Sequence, residues 1–308
     1  MAATFVGVTL LTFAIARSAP GAASIGSEAG LRAGAGAAQI REYRHLMGLE
    51  GPVLPGYLRW LSRLARADLG TSFRDGRPVA SLLAEALPVT LLLSVPSLAI
   101  AYLLALAVGI ASALRPHGVA DRVLAALSFL FYSVPLQWAA LMLVLYGASV
   151  GLPIQGLHSE GRRNFGDMVQ HLILPVVALA SGSIALLSRY LRSAIFDALE
   201  QDYVTAARAR GLSQGGVVLR HALPNAAITL VALLGLTLPA LVSGAVIVER
   251  IFGIPGMGNL AFEAVLGRDV PVLMGTTTLA AVMTVAGMLL SDLLYAAVDP
   301  RISLRSQQ

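Results

Sequence analysis

Residues 86–114 read ALPVTLLLSVPSLAIAYLLALAVGIASAL, 29 positions without one Asp, Glu, Lys or Arg, and this stretch decides the fold class. A helix needs about 20 apolar residues to cross a hydrocarbon core about 30 Å thick. Lipid offers no water to peptide groups, so such a stretch must bond internally as a helix. Charge-free runs of similar kind recur at 1–16, 123–159, 168–188, 221–248 and 270–291. They predict spans at roughly 2–19, 88–113, 123–147, 170–189, 226–248 and 275–297: an all-α polytopic membrane protein with six crossings. The first is the weakest, because its apolar run stops at Arg17, which must snorkel. A cleaved signal peptide is the rival for that segment. Residues Ala16, Ser18 and Ala19 would tolerate cleavage, but the charged n-region is poor, so an anchor is expected.

The bulk composition agrees. Charged residues are 13% of the 308-residue chain and apolar ones 56%, with mean hydropathy +0.76, against about 25% charged in soluble domains. That balance argues against a cytosolic globular enzyme and a disordered chain. All 22 bases are arginine. Without lysine there is no Walker A loop, so ATP is not bound here by that device. Without cysteine there are no disulfides, thiolate metal sites or thiol nucleophiles. The pI near 10.0 is explained by membrane-flanking arginines rather than by nucleic acid.

Arginine placement orients the chain. With the N-terminus inside, 114–122, 190–225 and 298–308 are cytoplasmic and hold Arg115, Arg122, Arg192, Arg208, Arg210, Arg220, Arg301 and Arg305, with Arg189 at a boundary. The short outer loops hold Arg162, Arg163, Arg250 and Arg268. Nine against four predicts both termini in the cytoplasm. Segment 20–87 carries eight arginines but is too long for them to weigh strongly. It is expected to form an extracytoplasmic cap, with 20–38 as loop and 39–69 helical around Leu46, Leu49, Tyr57, Trp60, Leu61 and Leu64. The implied domains are a first helix, 1–19; the cap, 20–87; a five-helix core, 88–302; and a tail, 303–308. Small residues such as Ala99, Ala101, Ala105, Gly109 and Ser112 suit close helix packing. Pro88, Pro96, Pro135, Pro175 and Pro239 permit bends in or near the spans.

The hydrophilic region 190–225 reads YLRSAIFDALEQDYVTAARARGLSQGGVVLRHALPNA from Tyr190. Acids Asp197, Glu200 and Asp202 precede a helical run, Tyr203 to Arg210, which Gly211 ends as a left-handed cap. Ser213 caps a second short helix, 214–222, closed by Pro224. The result is a knuckle on the cytoplasmic side. Tyr203, Ala206 and Ala207 are expected to share one face, with Arg208 and Arg210 pointing away, and small residues there admit a closely seated partner. An amphipathic loop lying on lipid headgroups is the other reading of the same pattern.

Ala206-Ala207-x-x-x-Gly211 followed by Leu223-Pro224 resembles the EAA motif of binding-protein-dependent ABC importer permeases. The phrases from Asp202 to Ser213 and from Arg220 to Ala226 are similar to the dipeptide, oligopeptide and nickel permease family. Thr205 stands where the motif has glutamate and His221 where it often has isoleucine, both common in the peptide branch. The resemblance spans nearly the whole chain. Gly7 to Phe13, Arg17 and Pro20-Gly21 resemble the family's first helix and its exit, although Ala22 and Ala23 replace the usual Asp and Pro. Asp68-Leu69-Gly70-x-Ser72 resembles the end of the outer segment in the first of two permease subunits. Glu249-x-Ile251-Phe252-x-x-Pro255-Gly256-Met257-Gly258 is similar to the family's last outer loop, and Asp292 to Tyr295 with Val298 to Ile302 to its C-terminal signature. Members usually carry basic residues before the first helix, which raises the expectation of a start upstream of Met1.

The resemblance implies a type I ABC importer permease of the bacterial inner membrane, for peptides or a solute such as a nickel chelate. It implies a second homologous permease subunit, two ATPase subunits that bind ATP and Mg, and an extracytoplasmic binding protein. The chain itself would perform no chemistry and hold no cofactor. Asp202, Tyr203, Ala206, Ala207, Arg208, Gly211, Leu223 and Pro224 would form the contact that seats in an ATPase groove.

Other signals point elsewhere. Asp292, alone among acids in lying well inside a span, falls near one helical face with Tyr295 and Asp299, as a gate or helix-pairing contact or as an interfacial residue. Gly147-Ala148-Ser149-Val150-Gly151 matches G-x-S-x-G, and His171 opens the next span on the same side, so a Ser149–His171 membrane protease is conceivable. An α/β hydrolase would need a strand–turn–helix elbow, whereas this serine ends a membrane helix; a membrane protease needs no sheet. The five histidines are scattered without metal-ligand spacing. An ion-driven secondary transporter, needing no ATPase, is the alternative from a different class.

Overall fold

A computed structural model describes residues 2–18, 52–115, 117–162 and 164–298. The expectations for 19–51, Asp299 and the tail lie outside these residues. Helices follow one another: α1 (Ala2–Ser18), α2 (Val53–Leu64), α3 (Val79–Leu114), α4 (Val119–Ser133), α5 (Leu136–Val150), α6 (Phe165–Leu199), α7 (Asp202–Ala209), α8 (Gln214–Val217), α9 (Leu223–Ile251), α10 (Met257–Leu266) and α11 (Val270–Val298). A π-helical turn, Val218–Ala222, joins α8 to α9. Among the described residues β pairing is limited to isolated bridges, Thr71 with Pro78 and Ser159 with Arg162. The all-α class read from the charge-free runs is therefore the fold.

The spans are longer than the apolar runs. Val79–Leu114, Phe165–Leu199, the helix from Gln214 and that from Val270 are each long and apolar enough to cross a bilayer. The single span expected over 123–147 is instead α4 and α5, bent by 96°. Pro135 has no N–H to continue α4, and Val134 before it is extended (φ −81°, ψ 119°). With that pair taken as one span the count is five, and α1, apolar over Thr4–Ala16, is a shorter helix. Pro175 by contrast lies inside a continuous 35-residue helix. Pro239 lies within α9.

Two compact units are built from the chain. The first contains the described residues 2–18, 52–90 and 255–285. In it Phe13 and Ala16 of α1 pack with Tyr57 and Trp60 of α2 and with Val270 and Met274. Phe13 meets Tyr57 edge-on at 5.8 Å between ring centres, and the hydroxyls of Thr9 and Tyr57 lie 2.8 Å apart. One side of the first helix is thus built into a core. The expected boundary at residue 88 moves, because α3 already begins at Val79. Between the helices Asp68 accepts from Arg63 Nε at 2.9 Å, and this bond holds its carboxyl below the usual range. Buried Asp269 accepts from Ser72 Oγ at 2.5 Å.

The second unit contains the described residues of 91–254 and 286–298. Its core includes Ala101, Ala105, Leu187, Leu191, Ile195, Val204, Ala207, Val217, Val218 and Ala222. Small residues set the helix spacing. A Cβ on Gly109 would lie 2.8 Å from Leu191 Cδ2, and one on Gly235 would lie 2.8 Å from Ser291 Oγ. Gly109→Val must therefore force α3 from α6 or drive Leu191 off its rotamer. The expected loss is about 1–3 kcal/mol, read as a lower melting temperature of the purified protein, and a parental value would contradict this packing.

Candidate functional site

The elbow between α6 and α9 forms from local signals. Glu200 closes α6, and Asp202 stands in the first turn of α7. Gly211 has φ +84°, a conformation that costs an L side chain roughly 1–2 kcal/mol. Its N–H donates to Arg208 O at 2.9 Å, and Leu212 N–H donates to Ala207 O at 3.3 Å, closing the helix end. Ser213 then caps α8, its Oγ accepting from Gly216 N–H at 3.3 Å.

Two expectations about the elbow are corrected. Pro224 does not close the second helix; it stands in the first turn of α9, and helix continues from Gln214 to Ile251. Without an N–H, Pro224 cannot bond four residues back, and the turn ahead of it widens so that Leu223 N–H reaches Val218 O. Nor do Ala206 and Ala207 share a face. Ala207 is 4% exposed and lies three residues after fully buried Val204, while Ala206 faces outward, because adjacent helical positions point about 100° apart.

The outward surface carries Tyr203, Ala206, Arg208, Arg210, Gly211 and Pro224, with Leu223 half-buried and Asp202 exposed beside them. Val204 and Ala207 join the core of α6 and the start of α9. Asn225 Nδ2 donates to Tyr203 Oη at 2.9 Å and to His221 O at 3.0 Å. Gln214 Nε2 donates to Ala113 O at 3.3 Å, tying α8 to the end of α3. Sequence reasoning passed over Val204, Gln214 and Asn225. The i, i+3 spacing of Val204 and Ala207 was the signal that could have found the inward face.

The other positions separate. Asp292 is exposed, Tyr295 is half-buried, and among the described residues no hydrogen bond or ion pair reaches the Asp292 carboxylate. The outer-loop motif divides. In the second unit Glu249 is fully buried, its carbonyl accepts from Ile254 N–H at 2.8 Å, and Phe252 O accepts from Gly156 N–H at 2.8 Å. In the first unit Gly256 precedes α10, and Met257 N–H donates to Thr90 Oγ1 at 2.7 Å. Pro255 and Gly256 line a cavity of about 610 Å³ with Arg74, Asp75, Glu85 and Glu263, and Gly258 is buried. Arg74 Nη1 pairs with Glu263 Oε2 at 2.9 Å, which raises the arginine above its ordinary value.

The dyad is not assembled. Ser149 Oγ donates to Tyr146 O at 2.7 Å, and His171 Nδ1 lies 2.9 Å from Asp167 O. No hydrogen bond joins the two among the described residues. Ser149→Ala is expected to leave stability within about 0.5 kcal/mol and function unchanged, checked by melting temperature and by whatever transport the protein supports. A specific loss of function would revive the protease reading.

Long apolar helices joined by a folded elbow define a polytopic membrane protein. The chain belongs to the family described as binding-protein-dependent transport system inner membrane component, which matches residues 105–304. It is 37% identical over 303 residues to the oligopeptide transport system permease protein AppB of Bacillus subtilis, covering 96% of this chain and 94% of that one. It is 34% identical to the di/tripeptide transport system permease protein DppB of Pseudomonas aeruginosa, covering 97% and 95%. The dipeptide transport system permease protein DppB of Lactococcus lactis is 35% identical over 86% of each. A chain of the inward-facing MetNI methionine ABC transporter shares the fold, with TM-score 0.59 over 71% of this chain and 97% of that one at 19% identity. The family read from the elbow motif is confirmed.

Proposed function

We propose that the chain is one of two permease subunits of an ATP-driven importer for peptides or a related small solute, and that the elbow transmits the ATPase stroke. One observation carries this reading: Val204 and Ala207 sit in the same apolar core as Leu191 and Ile195 of α6 and Ala222 and Ala226 at the head of α9. A push on the elbow therefore moves two long helices, because packed cores transmit displacement rather than absorb it. The names of the relatives above support the peptide class. Two ATPase subunits would hold ATP and Mg, a second homologous permease would complete the pore, and an extracytoplasmic binding protein would deliver substrate. The setting is the inner membrane with both termini in the cytoplasm. Asp292 and Tyr295 would serve helix pairing with the second permease, and Pro255, Gly256 and Gly258 would belong to an outer loop.

Reconstitution tests it. The chain, co-expressed with its partner subunits and placed in proteoliposomes, is expected to take up short peptides only when ATP is present on the ATPase side. Uptake should survive dissipation of ion gradients. Uptake by this chain alone along an ion gradient would overturn the proposal in favour of a secondary transporter. Competition by a nickel chelate would redirect the substrate class without moving the mechanism.

A further inference from the structure

The second unit holds a cavity of about 260 Å³ between α3, α4 and α6, toward the end of α6 that leads into the elbow. We propose that it binds the phosphate headgroup of an anionic phospholipid. Ser112, Ser128, Ser188, Arg189 and Arg192 bring its polar atoms, and residues such as Phe129 make the rest of the wall apolar.

The charges leave one cation over. Arg192 is spent on Asp121: Nε reaches Oδ1 at 2.7 Å and Nη2 reaches Oδ2 at 2.8 Å. Arg189 has no carboxylate partner among the described residues. Its guanidinium lies over the rings of Tyr132 and Tyr190, 5.3 and 5.7 Å from their centres. Held against aromatic rings rather than by a carboxylate, the guanidinium keeps N–H donors that suit phosphate oxygens. Two arginines and one acid make the lining's surroundings net +1. Ser128 and Ser188 stand with their hydroxyls 3.2 Å apart, and buried Ser112 Oγ has no hydrogen-bond partner of good geometry.

The wall selects an amphiphile rather than a free anion. Phe129 is 69% and Tyr132 53% exposed on an apolar helix, so the cavity opens beside surface that suits acyl chains. Basic pockets between membrane helices are where anionic headgroups lodge. A lipid seated there would brace α4 against α6 at the root of the elbow.

Native mass spectrometry of the full chain with its partner subunits tests the site, using phosphatidylglycerol and phosphatidylcholine of equal acyl length as probes. Phosphatidylglycerol is expected to persist through delipidation while phosphatidylcholine is lost. Arg189→Gln is expected to weaken retention about tenfold, as loss of a charge-assisted hydrogen bond does. Arg189→Lys should keep most of it, and Arg220→Gln, on the exposed elbow, should keep all of it. Excess inorganic phosphate should not displace the lipid. A second readout needs no arginine variant: fluorescence from Phe129→Trp should be quenched more by brominated phosphatidylglycerol than by brominated phosphatidylcholine. Equal behaviour of the two lipids, unchanged retention in Arg189→Gln, or displacement by inorganic phosphate would each overturn the proposal.

Discussion

Gly211→Asp is expected to abolish transport while ATP hydrolysis continues. The reason is local. Gly211 sits at φ +84° on the exposed surface of the elbow, and no heavy atom lies within 4 Å of where a Cβ would stand. There is room for the side chain, so the fold survives a strain of about 1–2 kcal/mol. What the carboxylate obstructs is a surface pressed against the elbow from outside. In proteoliposomes peptide uptake should fall by at least about tenfold, which corresponds to about 1.4 kcal/mol of coupling. ATPase activity and protein yield should stay near the parental level. Ala206→Asp, also outward, should behave alike. Ala207→Asp should differ: its carboxylate would be buried without a partner beside Val204, so the protein itself should be lost from the membrane. Normal uptake by Gly211→Asp and Ala206→Asp together would remove the elbow from the coupling path.

Arg192→Met should strongly destabilise the second unit. Asp121 is 1% exposed, and besides Arg192 it is held by His117 N–H at 3.1 Å. Removing the guanidinium leaves an uncompensated charge, which costs about 3–5 kcal/mol in buried pairs. Phe196 also loses the cation 4.3 Å from its ring centre. The measurement is the melting temperature of the purified protein, compared with Asp121→Asn and with the double variant. Replacing both partners should recover much of the loss, because no bare charge remains. A double variant no better than Arg192→Met would show that packing around Arg192, rather than the charge on Asp121, carries the stability.

The helices were legible because water-free surroundings leave an apolar run no other conformation. The bend at Pro135 was less legible. Pro175 sits in a run of the same character and leaves α6 unbroken, so proline alone does not announce which helix turns through 96°. The family motif singled out Ala206, Ala207 and Gly211 together, yet they play different parts: one faces out, one is core, and one is a conformational requirement. Arg189 and Arg192 looked alike as flanking arginines. Only the fold gives Arg192 an acid 71 positions away and leaves Arg189 with two tyrosine faces.

Taken alone, the chain of residues settled whatever depends on neighbours along it: membrane helices, the left-handed turn at Gly211, the cap at Ser213 and the family. The choice of inner and outer faces, the continuity of helix through Pro224 and the pairing of Asp121 with Arg192 belonged to the tertiary structure. Those outcomes depend on which distant surfaces compete for a side chain, and that competition has no local spacing to read.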